Sequence, residues 1–248
     1  MDISLYYQEK GTGEPLILLH GNGEDSGYFE HQIRFFSETY RVIAVDTRGH
    51  GKSPRGTAPF TLDQFATDLN EFMETLQIPK AIILGFSDGA NIALLFALKH
   101  PEKIKALILN GANLEPEGMK KNSLTAIRKK YYAVKRVAAR SEDGKHRLSD
   151  AKAAHAKHKM ELLGLMVHEP HIKPDELSAL QIPALVIAGT KDMIRQTHTT
   201  LIAKSIPDAA LAIIPGDHFI AAKEAIRFNR EVEQFLNSPQ VTERSRLT

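Results

Sequence analysis

The sequence predicts an α/β protein, a mostly parallel, doubly wound sheet with a small helical cap inserted late in the sheet. Short runs rich in Val, Ile and Leu recur along the 248 residues, each bounded by turn residues. The runs are continuously apolar instead of alternating, as expected of strands buried on both faces of a parallel sheet. Amphipathic helical patterns lie between them, so strand and helix alternate. With 42% apolar residues the chain has ample material for one large core.

The opening residues MDISLYYQEKG are strand-like and carry no basic segment followed by an apolar stretch, so no signal peptide is expected. The apolar runs follow as PLILLH (15–20), RVIAVD (41–46), KAIILGF (80–86), IKALILNG (104–111), PALVIAG (183–189) and AALAIIPG (209–216). Between the second and third, TLDQFATDLNEFMETL places Leu62, Phe65, Leu69, Phe72 and Met73 on one helical face, with Thr61 as the N-cap. The rhythm breaks between Asn113 and about Leu180. There the spacing predicts a helix with a stripe of Leu124, Ile127, Tyr131, Val134 and Ala138, and a second helix from near Ser149 toward Val167. The expected division is therefore residues 1–112 and 181–237 as two parts of one core, 113–180 as a helical cap, and 238–248 as a frayed tail.

The net charge of +2 conceals an asymmetry. Between Glu115 and Met160 there are thirteen Lys and Arg against five Asp and Glu, which leaves the rest of the chain acidic. Arg128, Lys129, Lys130, Lys135 and Arg136 fall off the apolar stripe, so a solvated face is the expectation. That placement favours a solvated face over a nucleic-acid surface, and no nucleic-acid partner is expected. The longest apolar run, Ile92–Leu98, is too short to span a bilayer. With no cysteine there is neither a disulfide framework nor a thiolate metal site, and a soluble cytoplasmic protein is expected.

The chemistry concentrates at strand ends. GFSDG (85–89) fits the pattern G-x-S-x-G between a buried strand and the helix-like NIALLFALKH. Such a serine must stand on a sharp turn, and Gly85 and Gly89 remove side chains that would collide where strand and helix cross. A serine hydroxyl is a poor nucleophile until a base takes its proton, and the base needs an acid to fix its tautomer. Asp192 follows PALVIAG and His218 follows AALAIIPG, so Ser87, Asp192 and His218 each close a predicted strand in the chain order this architecture uses. For the oxyanion, the backbone N–H of Asp88 needs a second donor from an earlier loop. LILLHGNG supplies Asn22, with Gly21 and Gly23 letting the loop approach the serine.

HGNG (20–23), DTRGHGKS (46–53), GFSDG, AGTKD (188–192) and GDHF (216–219) together resemble the α/β-hydrolase superfamily over nearly the whole chain outside the cap. The resemblance implies that Asp46, Arg48 and His50 belong to a structural loop without a catalytic role. One departure is Asp217, where relatives more often carry glycine before the histidine. The SDG at the elbow and NGAN (110–113) further resemble valacyclovirase-like amino-acid-ester hydrolases, in which the aspartate beside the nucleophile contacts the substrate amine.

Asp88 needs such an account, because a carboxylate about 5 Å from an oxyanion at an effective dielectric near 20 repels it by roughly 3 kcal/mol. Either it is bonded to neighbouring backbone or to Asn91, or it receives a substrate ammonium. A dinucleotide fold is disfavoured, since Ser26 occupies the third glycine position and His20 opens the loop. Cap residues His155, His158, Leu162 and Met166 share a face, yet two imidazoles without a nearby acid do not make a metal site, and His168 and His171 read as a loop around Pro170. The expectation is a serine esterase acting on a small-molecule ester. It is expected to need no cofactor or metal and to have no nucleic-acid or membrane partner, with a homodimer left open. The alternatives are a non-catalytic ligand-binding relative and a carbon–carbon or thioester hydrolase.

Overall fold

The structure, a computed structural model, describes residues 2–142 and 149–243. In chain order the elements are β1 (Tyr7–Lys10), β2 (Glu14–Leu19), α1 (Glu30–Phe36), β3 (Tyr40–Val45), α2 (Leu62–Thr75), β4 (Ala81–Phe86), α3 (Asp88–Lys99) and β5 (Ile104–Asn110). They continue with α4 (Lys121–Glu142), α5 (Asp150–His168), β6 (Ala184–Gly189), α6 (Gln196–Ser205), β7 (Ala209–Ile214), α7 (Ile220–Lys223), α8 (Ala225–Leu236) and α9 (Pro239–Thr242). Each apolar run of the sequence is a strand, with ends that agree to within two residues, and His20, Asp46 and Gly216 fall in the loops beyond.

The seven strands order as β1-β3-β2-β4-β5-β6-β7, parallel except for β1, which pairs antiparallel with β3 at the edge. Side chains alternate across the pleat. Ile17 and Leu19 join the core under α2, α3 and α6, whereas Leu16 and Leu18 join the one under α1 and α8. Burial on both faces is the reason the strands read as unbroken apolar runs. The connections run outward in opposite directions from β2 and β4, so the crevice at the carboxyl ends of these two strands is the topological switch point, where open α/β sheets place ligands.

Thr61 caps α2 as its spacing implies, accepting from Gln64 N–H at 3.1 Å. Helices α4 and α5 form the insertion between β5 and β6 and pack on each other. Leu124, Tyr131 and Ala138 are buried, while Lys129, Lys130, Lys135 and Arg136 are exposed. Part of the predicted cap, residues 143–148, lies outside the described residues.

Two expectations are corrected. His168 is not in a loop; it is the last residue of α5, with its ring edge-on to Tyr131 at 5.1 Å. The tail from 238 is not frayed at its start, because Pro239–Thr242 form α9, Val241 is buried, and Gln240 donates to Asp208 Oδ1 at 2.8 Å. Residues 244–248 lie outside the described residues.

Candidate active site

Ser87 sits between β4 and α3 with φ 53° and ψ −118°, a left-handed backbone for a residue with a side chain. Such strain persists only where its surroundings impose it. Here Ser87 N–H donates to Asn110 O at 2.8 Å, and its carbonyl accepts from Ala90 and Asn91. The helix can start this close to the strand only because two side chains are missing. A Cβ on Gly85 would lie 2.3 Å from Gly89 O, and one on Gly89 would lie 2.0 Å from Leu19 O.

The three side chains singled out by the sequence come together. Asp192 Oδ1 is 2.7 Å from His218 Nδ1, and His218 Nε2 is 3.0 Å from Ser87 Oγ. An ionised carboxylate can only accept, so Nδ1 carries the proton and Nε2 is free to accept from the hydroxyl. Asp192 is 3% exposed, and its Oδ1 also accepts from Ile194 N–H at 2.8 Å, which fixes the carboxylate. Space for the imidazole comes from Gly111, at φ 66°, where a Cβ would fall 2.7 Å from His218 Cε1. Sequence reasoning did not single out this glycine, although an Asn-Gly pair directly after a strand was the available signal.

The loop after β2 lies over the serine. A Cβ on Gly21 would be 3.2 Å from Ser87 Cβ. The Gly21 carbonyl accepts from His20 Nδ1 at 2.8 Å and from Glu24 N–H at 3.2 Å. Because a trans peptide carries C=O and N–H on opposite edges, these two bonds fix the direction of Asn22 N–H. His20 is itself held by Thr47 N–H, which donates to Nε2 at 3.0 Å, and burial depresses its basicity. His20 is thus a buried positioning group. Asp46 spends its oxygens on Ser26 N–H at 2.7 Å and Lys52 N–H at 2.8 Å, which leaves neither for a ribose.

Asp88 is 8% exposed, and the structure decides its partner. Oδ2 accepts from Asn22 Nδ2 at 2.8 Å, and the same amide donates to Leu162 O in α5 at 2.8 Å. Asn91, the partner weighed from the sequence, is instead paired with Asn113, donating to Oδ1 at 3.1 Å and accepting from N–H at 2.9 Å. Burial pushes the Asp88 carboxyl up to about 6; the Asn22 bond opposes this, and the charge of Glu169 adds to it. Glu169 was missed in the sequence. It follows α5, accepts from Leu62 N–H at 2.7 Å, and burial raises its pKa as well. Glu24, also unassigned from the sequence, is pushed up to about 7 by burial.

At the nucleophile lies a constricted cavity with only about 10 Å³ of free space. Ser87, Asp88 and His218 line it, together with Met119, Met193 and Ile194. The wall carrying those methionines is stitched together by Lys120 N–H to Met193 O at 2.8 Å and Arg195 N–H to Gly118 O at 3.0 Å. His198 braces the wall from behind, accepting from Leu114 N–H at 3.0 Å. His155 is exposed, and His158 packs edge-on against Phe60; among the described residues no cluster of three or more metal-ligating side chains forms.

The sequence pattern of the alpha/beta hydrolase fold family matches residues 14–166, more than half of the chain. The chain belongs to that family. Its relatives include the 3-oxoadipate enol-lactonase 2 of Acinetobacter baylyi, 26% identical over 94% of this chain and 92% of that protein. The human serine hydrolase BPHL is 29% identical over 94% of this chain and 83% of that protein. Among solved structures, Est816, described as an N-acyl homoserine lactone degrading enzyme, superposes with a TM-score of 0.76 at 26% identity and covers 94% of this chain and 97% of its own. A bromoperoxidase from Bacillus anthracis, with a TM-score of 0.78 at 22% identity over 95% and 96% of the two chains, shares the fold. Family and relatives together make the chain a hydrolase. Among the described residues no helix is long and apolar enough to cross a membrane.

Proposed function

We propose that the protein is a serine esterase that cleaves small carboxylic esters through an acyl-enzyme on Ser87 and favours acyl groups bearing an amine. The carrying observation is the continuous hydrogen-bonded chain from Asp192 through His218 to Ser87, at 2.7 and 3.0 Å. In this reading Ser87 Oγ attacks the acyl carbon as His218 Nε2 takes its proton. Asp192 stabilises the imidazolium that forms, and His218 then gives the proton to the departing alkoxide. Water, deprotonated by the same imidazole, releases the acid.

The N–H groups of Asn22 and Asp88 are assigned to the oxyanion. The second heads α3, where the first N–H groups of a helix have no acceptor within it. Losing one such donor typically costs about 3 kcal/mol of transition-state stabilisation. The ester reading is supported by the lactonase names among the relatives, a lactone being a cyclic ester. A serine at the elbow, in place of aspartate, disfavours chemistry that needs an alkyl-enzyme.

The amine preference is supported by Asp88, a buried carboxylate beside the nucleophile, and by the resemblance of the SDG and NGAN segments to amino-acid-ester hydrolases. The test is labelling by a fluorophosphonate probe together with turnover of p-nitrophenyl esters graded by acyl length. Labelling and turnover both lost in Ser87→Ala are expected. A chain that binds the esters without labelling or turnover would instead be the non-catalytic ligand-binding protein.

A further inference from the structure

Asp88 and Glu169 line the same cavity as the Ser87 hydroxyl but come from different parts of the fold. Asp88 heads α3 in the core, whereas Glu169 follows the last residue of α5 in the insertion. Each commits one oxygen to a protein donor. Asp88 Oδ2 takes the Asn22 amide at 2.8 Å, and Glu169 Oε2 takes Leu62 N–H at the start of α2 at 2.7 Å. Among the described residues no hydrogen bond reaches Asp88 Oδ1 or Glu169 Oε1.

The remaining lining is Asn113, Met119, Met166, Met193, Ile194 and His218, without a lysine or arginine. Two carboxylates in a narrow cavity walled by methionines repel each other and any anion that enters. Burial first, and the charge of Glu169 in addition, push the Asp88 carboxyl up to about 6. A cation that bridges the two would replace that proton and relieve the repulsion.

We propose that Glu169 is a specificity-determining residue: with Asp88 it forms a two-carboxylate clamp for a primary ammonium on the acyl group that Ser87 attacks. The clamp rests on the reading of Ser87 as an ester-cleaving nucleophile. It adds to that reading a second, insertion-borne carboxylate and a bias against acyl groups that carry a negative charge. Glu169 also serves α2 by accepting the Leu62 N–H, a purely structural task that a neutral glutamine oxygen performs equally well. Glu169→Gln therefore separates the two roles, since it keeps the acceptor and removes the charge.

The experiment compares kcat/KM for p-nitrophenyl 2-aminobutanoate, p-nitrophenyl butanoate and the p-nitrophenyl monoester of succinate, in the wild type and in Glu169→Gln. The expected result is a wild type that prefers the amino ester to the plain one and the plain one to the succinate. In Glu169→Gln the amino-to-plain ratio falls about ten- to hundredfold, the worth of a hydrogen bond to a charged group. A ratio within twofold of wild type, or a wild type indifferent to the amine, overturns the proposal while leaving the esterase reading intact. Absence of turnover on all three esters together with absence of fluorophosphonate labelling removes the esterase reading itself.

Should Glu169→Gln fold poorly, the wild type alone gives a second measurement. Propylammonium should inhibit butanoate turnover competitively and at least about tenfold more strongly than 1-propanol, by the same charged hydrogen bonds. Equal inhibition by the two overturns the clamp.

Discussion

Asn22 Nδ2 donates to Asp88 Oδ2 at 2.8 Å across 66 residues of chain, so the loop that covers the nucleophile also holds the carboxylate beside it. The bond favours the ionised carboxyl and opposes the burial that pushes its pKa up to about 6. Removing it in Asn22→Ala should raise that pKa further. An amine is held by the ionised form, so the acid limb of kcat/KM for an aminoacyl ester should move to higher pH in the variant. The corresponding limb for the plain ester supplies the reference. A limb that stays in place for both esters would show that the Asn22 amide does not govern Asp88.

The same carboxyl carries a stability cost with a definite sign. Folded Asp88 holds its proton up to about pH 6, against 3.8 for an unperturbed aspartate. Between those values the folded state binds more protons than the unfolded state, so this contribution falls as pH rises through the window and stays lost above it. The displacement corresponds to about 3 kcal/mol at most. Asp88→Asn keeps an oxygen for Asn22 and escapes the penalty. Urea denaturation should find the variant close to wild type at pH 4 and more stable above pH 6. A gap independent of pH would contradict this origin.

Ser87, Asp192 and His218 were legible in the sequence because each closes a β-strand, and because Gly85 and Gly89 mark where strand and helix must cross. The six parallel strands were legible for a related reason, since burial on both faces erases alternation and leaves unbroken apolar runs. The partner of Asp88 was not legible. The sequence offered neighbouring backbone, Asn91 or a substrate ammonium; the amide of Asn91 is taken by Asn113, and the side-chain partner lies on a loop two strands earlier in the chain. Glu169 was equally hidden, because only the fold brings the residue after α5 beside the start of α2 and the cavity. The tail was misjudged for want of apolar residues; the buried Val241 and the Gln240 bond to Asp208 seat α9.

Arg48, given no catalytic role, ties the loop after β3 to α2. It is 1% exposed, reaches both oxygens of Asp68 at 2.7 Å with Nε and Nη2, and places Nη2 2.7 Å from Asp2 as well. The guanidinium holds the Asp2 carboxyl far below the usual carboxylate range. Arg48→Met would leave Asp68 buried without a counter-charge, which typically costs about 3–5 kcal/mol. Lysine cannot reproduce the fork, so Arg48→Lys should recover only part of the loss. Chemical denaturation checks both variants, and a change below about 1 kcal/mol in Arg48→Met would show that the network is worth no more than a surface pair.

Helix α5 is tied to the core along its carboxyl half. Arg55 reaches Glu161 at 2.8 Å with Nη2 and at 3.1 Å with Nε, and its guanidinium lies 5.0 Å from the centre of the Phe60 ring. Asn22 holds the Leu162 carbonyl, and Leu62 N–H holds Glu169. Between those last two anchors Met166 lines a cavity with only about 10 Å³ of free space, so a long acyl chain can enter only if α5 shifts outward. The Arg55–Glu161 pair is the anchor that can be removed without touching the cavity lining. As a partly exposed pair it is worth about 1 kcal/mol, close to a fivefold change in the population of the displaced helix. Arg55→Met should therefore raise kcat/KM for a p-nitrophenyl octanoate relative to the acetate about fivefold. Molar salt should move the wild type the same way, because it screens an exposed pair more than a buried one. If the octanoate-to-acetate ratio is unmoved by both the substitution and salt, α5 does not limit entry and the acyl chain leaves the cavity by another face.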